Sequence, residues 1–321
     1  MKRILVLGGS GFIGRHVCEK ASRLECRITV PTRHRENAKT VQFLPWVDVI
    51  EADIHDEAAL ARLVHGHDAV VNLVAILHGD VAAFDRAHVA LVQKLVRACQ
   101  TAGVRRLVHV SALGAAPDAP SLYQRSKAKG EAVLAASGLD TTAVRPSVVF
   151  GAQDRFLNLF ARLQELFPVL PLGCADARFQ PVWVQDVAHA IVRLLQRQGP
   201  IPGLTNPVQP AVIEACGPDV FTLRELVRLA GRLSGNPCPI LALPLALARM
   251  QAWVMEMMPG EPMISRDNVA SMQVDNVASG VVPGLDTLGI RPTSLRSIAP
   301  TYLSANGADA LLAYRKLSGR L

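Results

Sequence analysis

Aromatic residues are scarce in this chain: three tryptophans, three tyrosines and nine phenylalanines among 321 residues. Nucleic-acid grooves combine clustered basic side chains with stacking aromatics, and here the basic residues are scattered along the sequence. No nucleic-acid partner is therefore expected. Lysine is rare as well, with seven against 27 arginines, so the net charge of +7 resides mainly in guanidinium groups. These suit phosphate or an anionic surface.

Metal-type cysteine spacing is lacking. Cys18, Cys26, Cys99, Cys174, Cys216 and Cys238 contain no C-x-x-C pair, and several sit in apolar runs, as reduced thiols of a cytoplasmic protein do. His65 and His67 in "HGHD" have no third ligand nearby and read as loop surface. An uninterrupted apolar run is missing too. The nearest, "LALPLALARMQAWVMEMM" at 241–258, is broken by Pro244 and carries Arg249 and Glu256, which argues against a membrane span. Its Met-rich part with Trp253 reads as core or dimer packing, or as an apolar patch for a membrane surface or substrate. The start, Met-Lys-Arg followed by "ILVLGGSG", is too short and glycine-rich for a signal peptide or anchor. There is no internal repeat and no low-complexity tract.

What is present is the composition of a globular chain, 50% hydrophobic and 19% charged. Residues 1–150 alternate short apolar, β-branched runs with helical stretches, including one from about Ala82 to Ala102. That pattern predicts an α/β, Rossmann-type doubly wound parallel sheet. Residues 184–217, with a helical "VQDVAHAIVRLLQR" and a strand-like "AVIEACG", are expected to return to this sheet. After Gly151 the pattern loosens around Pro/Gly-rich connectors such as 199–210; residues 151–183 and 218–321, with a capping box in "TLRE" at 222–225, are expected to build a smaller mixed α/β C-terminal cap.

In "GGSGFIG", Gly8, Gly11 and Gly14 follow the first strand and open the first helix. Glycines there let the turn form and let backbone approach a pyrophosphate, which meets the helix N-terminus. The second strand ends with Thr32, Arg33 and Arg35 and has no acid before Glu36. Arg in that place accommodates a 2′-phosphate, favouring NADP(H), with NAD(H) as the alternative. Asp53 after the third strand is a candidate for the adenine amine or an ordinary turn residue.

Together these motifs, with Asn72 in "NLVA", Ser111 in "HVSALGA" and Tyr123 with Lys127 in "SLYQRSK", resemble the short-chain dehydrogenase/reductase superfamily. "RPSVVFG", "DRFLNLF", "QPVWVQDVA" and "CGPDVFTLREL" look like its atypical epimerase/dehydratase-like branch, which includes the nucleotide-binding accessory subunit of respiratory complex I and its bacterial relatives. The likeness spans roughly residues 1–230. It implies cofactor contacts from Gly8, Ser10, Gly11, Phe12, Ile13, Gly14, Thr32, Arg33, Arg35, Asp53, Ile54, Leu73, Val74, Ala75, Tyr123, Lys127, Pro146, Ser147 and Val148. Two departures stand out: "NLVA" lacks the family's second small residue, and His88 replaces a frequent Asn.

Positions i and i+4 share a helix face, so the Lys127 ammonium can lie near the Tyr123 phenol. A free phenol has a pKa near 10; a nearby cation, helped by the positive nicotinamide of an oxidised cofactor, favours the phenolate. Tyr123 would then exchange a proton with the substrate oxygen during hydride transfer; the resemblance implies that Ser111 holds the same oxygen and Lys127 the nicotinamide ribose. Asp154 and Arg155 either touch substrate or cap a helix, and Asp186 reads as a cap or buried partner. The expectation is an oxidoreductase-like protein, monomer or homodimer, acting on an apolar carbonyl or quinone-related molecule. The alternatives are a non-catalytic accessory or assembly subunit of a respiratory complex, peripheral at the inner membrane face, and a nucleotide-sugar epimerase/dehydratase, which Arg33 disfavours.

Overall fold

The computed structural model describes residues 1–199, 211–260 and 262–304. Most of the connector at 199–210 lies outside the described residues. The chain forms two compact units.

The first unit takes Met1–Pro146, Val184–Ala215 and Ala278–Arg291. Its strands are β1 (Arg3–Leu7), β2 (Arg27–Thr32), β3 (Val47–Glu51), β4 (Ala69–Asn72), β5 (Arg106–Val110), β6 (Asp140–Pro146) and β11 (Ala211–Ala215). Its helices are α1 (Phe12–Ser22), α2 (Glu57–Val64), α3 (Val81–Asp85), α4 (Leu91–Ala102), α5 (Leu122–Ala135) and α7 (Val184–Gln196). The sheet runs β11-β6-β5-β4-β1-β2-β3, with every pairing parallel. The Rossmann-type α/β expectation holds. Strands covered on both faces need apolar side chains on both, which "ILVL" and "AVV" supply as fully buried residues. Leu5, Leu7 and Val70 pack with Leu60 of α2 and Leu91 and Leu95 of α4. The strand order reverses between β1 and β4, and sheets of this kind bind ligands at the carboxyl ends beside that switch.

The helix expected from Ala82 to Ala102 continues as α3 and α4, but a π-helical turn at Arg86–Ala90 joins them. Its carbonyls press against α5: a Cβ on Gly130 would stand 2.4 Å from the His88 carbonyl oxygen. Beneath α5, buried Glu131 accepts two hydrogen bonds from Arg145, at 2.9 and 2.5 Å.

The second unit takes Ser147–Trp183, Cys216–Val277 and Pro292–Leu321. It contains β7 (Val149–Phe150), α6 (Leu157–Leu166), β8 (Leu170–Gly173), β9 (Arg178–Phe179), β10 (Val182–Trp183), β12 (Phe221–Thr222), α8 (Leu223–Ser234), β13 (Ile240–Leu243), α9 (Leu245–Glu256), α10 (Arg266–Ser271), α11 (Leu295–Ile298) and α12 (Pro300–Leu303). These small parallel and antiparallel pairs surround a core of Phe150, Leu157, Leu223, Leu226 and Val227. The box predicted from "TLRE" forms, Thr222 and Glu225 each satisfying the other's backbone. Asp154 caps α6, accepting from the backbone N–H groups of Phe156, Leu157 and Asn158. α9 is inverted relative to ordinary amphipathicity. It buries Ala248 and Ala252 and exposes Met250, Trp253 and Val254. No helix among the described residues is long and apolar enough to cross a membrane.

Because any Cβ at Gly130 collides with backbone rather than with a movable side chain, Gly130→Ala should lower stability by roughly 1–3 kcal/mol. A chemical-denaturation midpoint equal to the wild type's would contradict this packing.

Candidate nucleotide-binding and proton-transfer site

The glycine loop leaves β1 with Gly8 in the left-handed region, φ +76°, which favours glycine. Gly14 is required for closeness: a Cβ there would lie 2.2 Å from the Gly8 carbonyl oxygen and 2.6 Å from Gly9 Cα. Gly11 is the N-cap of α1, contributes no side-chain cap, and is followed by no acid in the first turn. The N–H groups and positive end of α1 thus meet no local carboxylate. With the cradle closed by glycine, this is the donor set a pyrophosphate fits.

At the end of β2, Thr32 is buried and its hydroxyl donates to the His34 carbonyl at 3.0 Å. Arg33 is exposed; Arg35 is exposed too, but its guanidinium donates to the Val49 carbonyl at 3.2 Å. Asp53 closes an Asx turn by accepting from the His55 N–H at 2.9 Å. The His55 imidazole is pushed below its ordinary pKa, first by burial; Asp53 opposes the shift, while Arg86, Lys94 and Arg33 add to it. Arg86 and Lys94, which no local motif marks, are brought by the fold from the π turn and α4 within electrostatic reach of the same imidazole as Arg33.

After β4, the Leu73 N–H continues the sheet to the Leu7 carbonyl at 2.9 Å. Asn72 Oδ1 accepts from the Val74 N–H at 3.1 Å, which leaves the amide nitrogen to donate to His109 Nδ1, also at 3.1 Å. His109 therefore carries its proton on Nε2, and that buried nitrogen has no hydrogen-bond partner. Ser111 follows β5. Its backbone N–H donates to Val144 at 2.7 Å, while its hydroxyl, on a residue only 2% exposed, has no partner. An orphaned buried hydroxyl is costly in a protein that binds nothing there.

α5 starts at Ser121, whose side chain accepts from the Gln124 N–H. One turn on, Lys127 is buried and its ammonium donates to the Val110 carbonyl at 3.0 Å, beside Ser111. Its nitrogen lies 5.9 Å from the centre of the half-buried Tyr123 ring. Burial pushes the Tyr123 phenol up to about 12 and pulls the Lys127 ammonium down to about 8, Glu131 opposing the latter. Desolvation, which a sequence does not display, disfavours the charged form of both groups. At neutral pH both groups are therefore protonated.

The Pro146 carbonyl accepts from the Leu113 N–H at 3.0 Å. Ser147 donates to Asn276 Oδ1 at 2.6 Å, and the Val148 N–H donates to the same oxygen at 3.2 Å. Asn276, 129 residues away, carried no sequence signal. Other residues resolve simply. Asp154, besides capping α6, accepts from the Tyr302 hydroxyl at 3.0 Å, so the capping alternative describes it. His67 is not loop surface but buried, with Nε2 2.8 Å from Thr29 Oγ1. No group of three metal-ligating side chains occurs among the described residues.

A parallel sheet with a glycine cradle at its switch point and a Ser/Tyr/Lys set beyond it defines a dinucleotide-binding protein of the Rossmann class. Residues 4–206 match the NAD dependent epimerase/dehydratase family, and the chain belongs to that family. It is 28% identical over 298 residues to the mitochondrial NADH dehydrogenase (ubiquinone) 1 alpha subcomplex subunit 9 of Mus musculus, covering 90% of this chain and 76% of that protein. It is 26% identical over 257 residues to the ceramide reductase of Caulobacter vibrioides, 78% of each chain. The NADPH-dependent quinone oxidoreductase QOR2 of Escherichia coli, solved with NADPH, shares the fold with a TM-score of 0.71 at 20% identity, over 92% of this chain and 98% of that one.

The depressed Lys127 pKa carries a sign. Between about 8 and the ordinary lysine value, the unfolded chain holds a proton that the folded chain releases. Falling pH therefore costs the wild type stability down to about pH 8 and nothing further below it. The melting-temperature difference between Lys127→Met and wild type should shift in favour of Met from pH 10.5 to 8 and then level off. A pH-independent difference would contradict a buried, titrating ammonium.

Proposed function

We propose that this chain is an NADP(H)-using oxidoreductase of the short-chain type, transferring hydride to or from an apolar carbonyl or quinone-related substrate with Tyr123 as acid/base. The observation that carries the reading is the unpartnered Ser111 hydroxyl, buried beside the Val110 carbonyl that Lys127 holds. A substrate oxygen at Ser111 would satisfy that orphan and face a phenol that is protonated at neutral pH. Bound nicotinamide supplies or accepts the hydride. Tyr123 gives up its proton to the oxygen during reduction, and the Lys127 ammonium stabilises the phenolate that results.

Preference for NADP(H) rests on Arg33, exposed at the end of β2 with no acid in its place, while Arg35 is committed to Val49. Glycine loop, Asp53, Ile54 and residues 73–75 would hold the rest of the nucleotide. Pro146, Ser147 and Val148 would meet the carboxamide, with Asn276 fixing the last two. A ceramide reductase among the relatives supports an apolar carbonyl substrate.

A second reading, a nucleotide-binding accessory subunit at a membrane assembly, is favoured by two observations. One is the mitochondrial NADH dehydrogenase relative, matched across 90% of this chain. The other is α9, whose Trp253 and Met250 are 49 and 56% exposed while Ala248 and Ala252 are buried.

Tyr123→Phe keeps the ring and removes the proton. It should bind NADPH within about twofold of wild type and lose about 10²-fold or more in turnover on a panel of apolar aldehydes, ketones and quinones. Unchanged turnover would sink the catalytic reading.

A further inference from the structure

His88 sits at the centre of the one π-helical turn among the described residues. Such turns insert a residue at a cost in hydrogen-bond geometry and are frequent where a side chain must be aimed. Here the aimed side chain is a buried imidazole whose two nitrogens have opposite tasks. Nε2 lies 3.1 Å from the backbone nitrogen of Ile76; an N–H only donates, so Nε2 accepts. A neutral ring that accepts at Nε2 carries its proton on Nδ1, 2.7 Å from Ser126 Oγ. Ser126 receives that bond and passes its own hydroxyl hydrogen to the Tyr123 carbonyl, again at 2.7 Å.

The ring is also wedged. It meets Tyr123 edge-on at 5.6 Å and 79°, and Phe84 at 5.7 Å and 36°. Four residues beyond Ser126, the missing side chain of Gly130 lets the His88 carbonyl close on α5. Burial, with the Lys127 charge nearby, keeps the imidazole neutral by pulling its pKa down to about 3.

We propose that His88 is a positioning residue that joins the loop after β4 to the Tyr123 helix. Through Ile76 it fixes the backbone leaving residues 73–75, and through Ser126 and its ring it fixes the seat of Tyr123. The nucleotide loop and the acid/base hydroxyl are thereby held in one register. The catalytic consequence rests on the proposed function; the link itself does not. A buried histidine that merely filled space would be replaceable by another ring, and this one is not, because both of its nitrogens are spent on different elements.

Three measurements on the full chain test this. Nitrogen-15 shifts of wild-type His88 should report the Nδ1–H tautomer throughout pH 5 to 8. His88→Phe keeps a ring without either hydrogen bond, and His88→Gln keeps an acceptor and a donor. The Ile76 amide should exchange about tenfold faster in the Phe variant and near the wild-type rate in the Gln variant. NADPH should bind about tenfold more weakly to Phe, with most of the loss restored by Gln. An Nε2–H tautomer, or equal Ile76 protection in wild type and His88→Phe, would overturn the proposal. Should wild type itself bind no NADPH, the proposed function fails, while tautomer and exchange still decide the link.

Discussion

A lysine ammonium buried at the foot of α5 is the constraint around which the first unit is arranged. Placing that charge out of water is expensive unless partners are supplied. The fold supplies the Val110 carbonyl at the end of β5 as acceptor and the Glu131 carboxylate as counter-charge. Glu131 is held in turn by Arg145 from β6. Two adjacent strands and one helix are thus committed to holding a single cation. Under the proposed function the cation has a use: the Tyr123 phenol, four residues earlier, releases its proton more readily where the negative charge left behind is met. Burial works in both directions here, raising the phenol to about 12 and lowering the amine to about 8, so two groups of similar ordinary pKa are driven apart.

The surroundings extend the same logic. Asn72 and His109 orient one another between β4 and β5, leaving a buried N–H unpaired, and Ser111 adds a buried hydroxyl in the same condition. Folded chains rarely tolerate such groups without use. The glycine cradle adds the uncapped positive end of α1. Polar capacity is thus reserved along the carboxyl ends of adjacent strands, where sheets of this order bind ligands.

Much of this was legible before any coordinates. Short apolar runs alternating with helices dictate a parallel sheet; "GGSGFIG" announces the turn between β1 and α1, and "TLRE" the start of α8. These are local signals, and local signals survive in a single sequence. Interactions made at a distance do not. His67 reads as loop surface because nothing nearby reveals Thr29, 38 residues away. Asn276 meets Ser147 from 129 residues away. The direction of the Tyr123 shift depends on how much water the fold removes. The π turn at His88 has no residue signature, and the inversion of α9 is invisible until Ala248 and Ala252 are seen to face inward.

Under the proposed function, the carboxyl ends of β1, β4 and β5, with the face of α5 bearing Tyr123, form one nicotinamide-nucleotide site. Hydrogen–deuterium exchange with and without saturating NADPH tests it most directly. Slowed exchange confined to residues 8–16, 30–35, 72–76 and 111–128, with NADH giving weaker protection at 30–35, is the predicted result. Protection absent from 8–16 and 111–128, or spread evenly over the chain, would contradict it.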